Sequence, residues 1–202
     1  MTVFLIALFS WYLPMVFFMY YVFDILGVKK IYSLIPIFNV CILLGEYQGR
    51  VWKNNWSLLY IIMLILPIMV YFGPFSILIL IIILNIFIVL LVVLLIIAYV
   101  LTFLVIYLPL LRSEFSKFIL MFNIVLPSTW FMNLTYTITF VAFFNYYYAL
   151  VAFDTWRKVK SGKYIVYEKL DYSKLSSSDI KAELASRGRE LVHSVDELKN
   201  NS

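Results

Sequence analysis

From Asn54 to Leu111 the chain runs for 58 residues without one charged side chain, and from Phe118 to Phe153 for another 36. A single crossing of a bilayer core needs about 20 apolar residues. Burying runs of this length in a water-soluble fold would require a hydrophobic shell around them, and the rest of the chain is too short and too polar to build one. The sequence therefore predicts lipid as its solvent. Of the 202 residues, 64% are hydrophobic and 13% charged, against about 45–50% and 25% in soluble domains. What charge exists gathers at the C-terminus, where residues 154–202 hold 10 of the 16 Lys and Arg and 8 of the 11 Asp and Glu. The chain thus divides near Phe153 into a transmembrane domain, 1–153, and a soluble tail, 154–202.

Thr2 to Phe23 is 22 residues without charge. No basic segment precedes it and no small-residue cleavage pattern comes after it, so it reads as a retained first span rather than a signal peptide. Ile31 to Gly45 is apolar but only 15 residues long, and Pro36 and Asn39 interrupt it. Such a segment either crosses a thinned bilayer or dips in and returns. The linker from Glu46 to Trp56 mixes charge with Trp52 and Trp56, amphipathic rings that favour the headgroup level and would set its depth. Ser57 to Phe72 forms a span with Pro67 inside it, closed by the turn pair Gly73-Pro74. Phe75 to Leu111 is one tilted helix or two spans. The last run divides at Pro127-Ser128-Thr129. The expected architecture is all-α: a polytopic helical membrane protein of five to seven crossings, one segment short or re-entrant, with a small helical tail. Basic clusters at Lys29-Lys30, at Arg112 and Lys117, and at Arg157 to Lys163 put the N-terminus outside and the tail in the cytoplasm.

The long spans hold no ionisable residue, the usual mark of proton relays and intramembrane catalysis. Asp24, Glu46 and Glu114 lie in or beside linkers. Cys41 is the only cysteine and His193, in the tail, the only histidine. No phosphate-binding glycine loop, metalloprotease helix or nucleophile elbow occurs. No catalytic residue, cofactor or metal is expected. Asn39, Asn85, Asn123, Asn133 and Asn145 supply uncharged polar groups, either for hydrogen bonds between helices or for a polar pathway.

Lys30-Ile-Tyr-Ser-Leu-Ile-Pro-Ile-Phe-Asn39, followed by Trp52 and then Trp56-Ser-Leu-Leu-Tyr60, resembles an uncharacterised family of small prokaryotic membrane proteins. That family carries a Leu-Ile-Pro-Ile-Tyr-Asn signature after its first span and then a Trp-rich approach to the next. The likeness covers residues 20–73, and the family's later glycine-rich segment has no counterpart here. The bias towards Ile, Phe, Tyr and Lys also points to a prokaryotic, A/T-rich genome. In the tail, Leu175 to Gly188 is similar to the opening of SAP-type helix-loop-helix modules, which often bind nucleic acid. The lysine-rich second helix of such modules is missing, and nucleic acid is not an expected partner.

The tail reads instead as an amphipathic helix or helix pair, capped by Ser177 or Ser178 and interrupted at Gly188. Ile180, Leu184, Leu191 and Val195 recur at helical spacing and predict a docking stripe. The sequence points to a non-catalytic membrane subunit or scaffold surrounded by membrane lipid, with protein partners in the membrane and at the tail. A small transporter or channel component with an uncharged polar pathway is the alternative, and a membrane-embedded enzyme the third reading. Pro36 and Asn39 would shape the short segment.

Overall fold

The computed structural model describes residues 8–62, 65, 93, 97, 100–101, 103–125 and 134–196. These residues are mostly helical. In chain order they form α1 (Leu8–Leu26), α2 (Phe38–Tyr47), α3 (Glu114–Val125), α4 (Leu134–Lys160), β1 (Tyr164–Val166), α5 (Ser177–Ser186) and β2 (Val192–Ser194). Short 3₁₀ helices lie at Lys30–Leu34 and Leu108–Leu110, with further helical residues at 57–62 and 103–107. Among the described residues, α1 alone is long and apolar enough to cross a membrane. Gly73-Pro74, Pro127-Ser128-Thr129, Asn85, Asn133 and most of the 75–111 run lie outside the described residues. The count of five to seven crossings depends on them.

α1 opens as a π-turn over Leu8–Tyr12 and becomes α-helical at Leu13. Pro14 sits at that junction and has no N–H for the carbonyl five residues back, Phe9, or four back, Ser10. Two side chains of α4 supply the missing donors. Asn145 Nδ2 donates to the Ser10 carbonyl at 3.1 Å, and the Tyr146 hydroxyl to that of Phe9 at 3.0 Å. The two helices, packed along each other, are thereby fixed in register. At its other end α1 stops at Gly27, whose φ of 73° places it in the left-handed region. The Gly27 and Val28 amides then reach back to the Asp24 and Phe23 carbonyls, closing the helix in a Schellman pattern.

The chain next forms a hairpin along α1. Lys30 lies 3.2 Å from Asp24, while the Leu34 carbonyl accepts from the Tyr12 hydroxyl at 2.7 Å. Tyr12 and Asp24 are about 18 Å apart along a helix. The segment therefore travels from Lys30 to Leu34, reverses, and returns through α2. Its reversal is a γ-turn in which the Phe38 amide donates to the Pro36 carbonyl at 2.8 Å. Ile37 at the apex has φ 69° and ψ −54°, a strained position for a β-branched residue. Asn39 stabilises the turn from inside. Its Nδ2 donates to the Ser33 carbonyl at 3.1 Å, and its Oδ1 accepts from the Val40 amide at 2.7 Å.

Phe18, Met19, Val22 and Phe23 of α1 meet Val40, Leu43 and Tyr47 of α2 and the buried face of α4 in one core. Tyr107 sits at its centre, stacked on Tyr148 at 4.3 Å and edge-on to Phe18 at 4.9 Å. Pro109 repeats the situation of Pro14. It offers no donor to the carbonyls of Val105 and Ile106, and Trp52 Nε1 and the Tyr47 hydroxyl donate to them at 3.1 and 3.2 Å.

Of the expected helix or helix pair, the described tail forms one helix and adds two strands. The helix, α5, lies between the strands, which pair antiparallel, Tyr164 with Ser194 and Val166 with Val192. Described as all-α, the chain needs this two-stranded exception. Ser176, not Ser177 or Ser178, caps α5, in a reciprocal box with Asp179. After α5 both Gly188 and Arg189 adopt positive φ, 61° and 59°, which ends the helix and resets the chain for β2.

The expected docking stripe is covered by the chain itself. Ile180, Leu184 and Leu191 are 2%, 5% and 0% exposed, and Val195 is half-buried with its amide on the Lys163 carbonyl. Leu191 belongs to the main core, and its amide donates to the Pro109 carbonyl at 2.8 Å. The strap before α5 lies over Gly49, whose carbonyl accepts from the Leu170 amide at 2.8 Å. A Cβ at Gly49 would come within 3.1 Å of the Tyr172 ring and 3.2 Å of the Lys169 stem.

The pairing of Pro14 with Asn145 is testable as a double-mutant cycle. Asn145→Ala should cost about 1–3 kcal/mol, because the half-buried Ser10 carbonyl is then left without its donor. Pro14→Ala restores the backbone donor, and in that background Asn145→Ala should cost clearly less. Equal costs in thermal unfolding of the detergent-solubilised protein would sink the assignment.

Candidate functional site

Two concave sites lie where the tail meets the helical part. The first is a groove of about 520 Å³ between the 51–56 loop, the helical residues before Pro109, and α5 with its C-terminal turn. Leu101, Leu104, Val105 and Leu108 form its apolar floor, and Trp52, Trp56 and Leu184 its walls. Lys53, Lys181 and Arg189 also line it, and among the described residues no carboxylate does. Among the described residues none of these three cations is in an ion pair. Lys53 donates to the Ser177 hydroxyl, and Arg189 lies over the Trp52 ring at 5.5 Å. Trp52 is anchored below through its bond to Val105. Trp56 differs, because its Nε1–H is buried and has no acceptor among the described residues.

Tyr172 fixes one rim of this groove by donating its hydroxyl to the Lys53 carbonyl at 2.7 Å. Burial pushes that hydroxyl above its ordinary range, so it stays protonated as a donor. In the strap, the Ser173 hydroxyl and amide both donate to Asp171 and hold its carboxyl below the usual carboxylate range.

The second site is a crevice of about 620 Å³ between the start of α3 and the last turns of α4, closed by Tyr164 and Ser194. Ser113 caps α3 by accepting from the Ser116 amide at 3.1 Å. Its hydroxyl continues through Ser116 to Tyr147 in a chain with two 2.6 Å links. Arg112 and Lys158 flank the Tyr164 ring, at 4.9 and 5.3 Å. Each is neutralised within the fold, Arg112 by Glu190 at 3.0 Å and Lys158 by Asp154 at 2.6 Å. Balanced charge and hydroxyls in mutual hydrogen bonds make this crevice a joint between the tail and the helices.

Of the residues singled out by sequence, Trp52, Trp56 and Leu184 come together in the groove. Ile180 and Leu191 are buried beneath the tail, and Val195 packs beside β2. Pro36 and Asn39 belong to the hairpin turn and line neither site. Lys53, Lys181 and Arg189 were not singled out by sequence. One signal was present: none of them has an acidic residue three or four positions away, the spacing at which helical ion pairs form. Among the described residues no three His, Cys, Asp or Glu side chains are grouped to hold a metal ion.

The two tryptophans should respond differently to loss of their N–H. Trp52→Phe leaves the Val105 carbonyl unpaired and should lower unfolding stability in detergent by about 1–3 kcal/mol. Trp56→Phe removes a donor that has no acceptor among the described residues and should cost little or stabilise. A larger loss for Trp56→Phe than for Trp52→Phe would contradict this geometry.

No protein-family model, no curated protein and no solved structure matches this chain, so its functional reading stands on the geometry above.

Proposed function

We propose that this chain is a non-catalytic, multi-pass membrane subunit or scaffold that works by packing against other membrane proteins, with its N-terminus outside and its tail in the cytoplasm. The observation that carries the reading is the use of its amides. Asn39, Asn123 and Asn145 are 1%, 6% and 5% exposed. Each spends its amide within the fold, on the Ser33 carbonyl, the Tyr148 hydroxyl and the Ser10 carbonyl respectively. A polar pathway needs amides turned towards a passing solute. Amides consumed in tying helices together support a structural role instead.

The hairpin favours the re-entrant form of the short segment, which gives five crossings where the 75–111 run crosses once. Its first arm starts beside Asp24, which also accepts from Trp156 Nε1 at 2.5 Å and lies 3.5 Å from Lys160 at the end of α4. Its second arm ends at Gly49, against the tail strap that comes after α4. Entry and exit at one end agree with a segment that dips and returns, and α2, at about 15 Å, is too short to cross alone. The partner-facing surface is assigned to helix rather than tail. Phe115, Phe118 and Phe122 form an exposed aromatic ridge on α3, whereas Ile180, Leu184 and Leu191 of the tail are covered.

Sidedness is checked by cysteine labelling in a Cys41→Ser background. Lys29→Cys and Ser161→Cys should both resist a membrane-impermeant thiol reagent in intact cells and react after lysis. Labelling of either from outside overturns the orientation.

Purified protein in liposomes should show no solute-dependent flux, while mild-detergent purification should recover a stoichiometric membrane partner that a Phe115→Leu/Phe118→Leu/Phe122→Leu variant loses. Flux that Asn123→Leu abolishes would replace this reading with the transporter.

A further inference from the structure

We infer that the groove between the 51–56 loop and α5 is a binding site for an anionic phospholipid, its phosphate held by Lys53, Lys181 and Arg189 and an acyl chain laid along Leu104 and Leu108. The inference rests on the membrane reading above and deepens it by naming a ligand class.

Charge is the first observation. Arg50, Arg112, Lys117, Arg157, Lys158, Lys174 and Arg187 each lie within 3.3 Å of a carboxylate oxygen. Lys53, Lys181 and Arg189 have no carboxylate partner among the described residues, and unlike Lys29, Lys163 and Lys169, which also have none, they are collected around one groove. Three cations drawn together without a counter-charge repel one another unless an anion joins them. Two of the three are already positioned, Lys53 by the Ser177 hydroxyl and Arg189 by the Trp52 ring.

The floor is the second. Free phosphate would gain nothing from Leu101, Leu104, Val105 and Leu108, which only a hydrocarbon chain can cover without a desolvation cost. An anionic head above a continuous apolar floor describes an amphiphile. Trp56 adds a third feature, a buried indole N–H without an acceptor among the described residues, which a phosphate or ester oxygen satisfies. The charge pattern also selects between lipids. Phosphatidylcholine and phosphatidylethanolamine bring a cation with their phosphate, and among the described residues no carboxylate lines the groove to receive it. Phosphatidylglycerol and cardiolipin bring only negative charge, the chemistry that basic pockets beside membrane helices recognise.

The test uses the full chain in nanodiscs of phosphatidylcholine containing a small fraction of phosphatidylglycerol, with retained lipid measured by native mass spectrometry and thermal stability measured in parallel. Phosphatidylglycerol should be retained over phosphatidylcholine and should raise the melting temperature. Lys53→Gln, Lys181→Gln and Arg189→Gln should each weaken retention by roughly fivefold, as expected for one basic residue near an anionic lipid surface. Trp56→Phe should weaken it without lowering the melting temperature of the lipid-free protein, which separates binding from folding. Lys174→Gln, whose partner is Asp171 in the strap, should change nothing.

Equal retention of the two lipids, or retention unaffected by all three glutamine variants, overturns the site. Competition by millimolar inorganic phosphate or glycerol 3-phosphate as strong as that by the lipid overturns the lipid in favour of a soluble phosphate. Release of the protein from native membranes by alkaline carbonate overturns the membrane reading itself. Firm membrane retention without lipid preference overturns only the groove.

Discussion

A proline inside an apolar helix removes a backbone donor and strands a carbonyl where no water is at hand to hydrate it. Leaving such a group unpaired costs about 1–3 kcal/mol, so the fold is constrained to bring a donor to it. Pro14 and Pro109 impose this constraint twice, and the described tertiary structure is arranged around the answers. Asn145 and Tyr146 reach from α4 to the carbonyls freed by Pro14. Tyr47 and Trp52 reach from α2 and the loop after it to those freed by Pro109. Each donor lies far away in sequence and on a different element, so each bond also fixes one element against another. Pro109's own carbonyl accepts from Leu191 and so seats the tail on the same point. Apolar contact alone is non-directional and would let these helices slide. The stranded carbonyls set their register.

The hairpin from Lys30 to Gly49 applies the same principle to a sharper break. Reversing a chain between two helical arms leaves several backbone groups outside both ladders. Asn39 answers with one donor and one acceptor, and the Tyr12 hydroxyl covers Leu34. One cost remains in the backbone, because Ile37 is held at positive φ, of order 1–3 kcal/mol for a non-glycine residue. Lys30 keeps the first arm in place at the other end. The Asp24 carboxylate beside it raises its ammonium above the ordinary lysine range, with burial working in the opposite direction.

Much of this was legible in the sequence, for local reasons. Pro36 and Asn39 inside a short apolar stretch announce a break, because proline cannot continue a helix and asparagine competes for backbone partners. The long uncharged runs announce helices. Trp52 and Trp56 were legible as special, but their division of labour was not. Which indole meets the carbonyl above Pro109 is decided by a helix more than fifty residues away. In the tail, the spacing of Ile180, Leu184, Leu191 and Val195 fits one helical face and so predicts a single stripe. Periodicity fails there because Gly188 and Arg189 both turn left-handed, so the residues before and after them no longer share a helix. Val192-His193-Ser194 then pairs with Tyr164-Ile165-Val166, a long-range contact that local spacing does not encode.

The charged residues divide along the same line between local and distant. Arg50, Lys117, Arg157, Lys158, Lys174 and Arg187 each find a carboxylate three or four residues away, and pairs of that kind on an exposed surface contribute about 0.3–0.5 kcal/mol. They hold little together and explain little about function. Arg112 is different: its partner Glu190 lies across the tail interface and beside Leu191, so that pair reports on docking of the tail. Lys53, Lys181 and Arg189 have no acid three or four residues away and none brought to them by the described fold; among the described residues Lys29, Lys163 and Lys169 are likewise without a carboxylate, but they do not line the groove. A fold that supplies donors to the carbonyls freed by Pro14 and Pro109, and a carboxylate to most of its described cations, gathers Lys53, Lys181 and Arg189 over an apolar floor without one. Their convergence places the unmet electrostatic requirement of the structure at the groove beside Trp56.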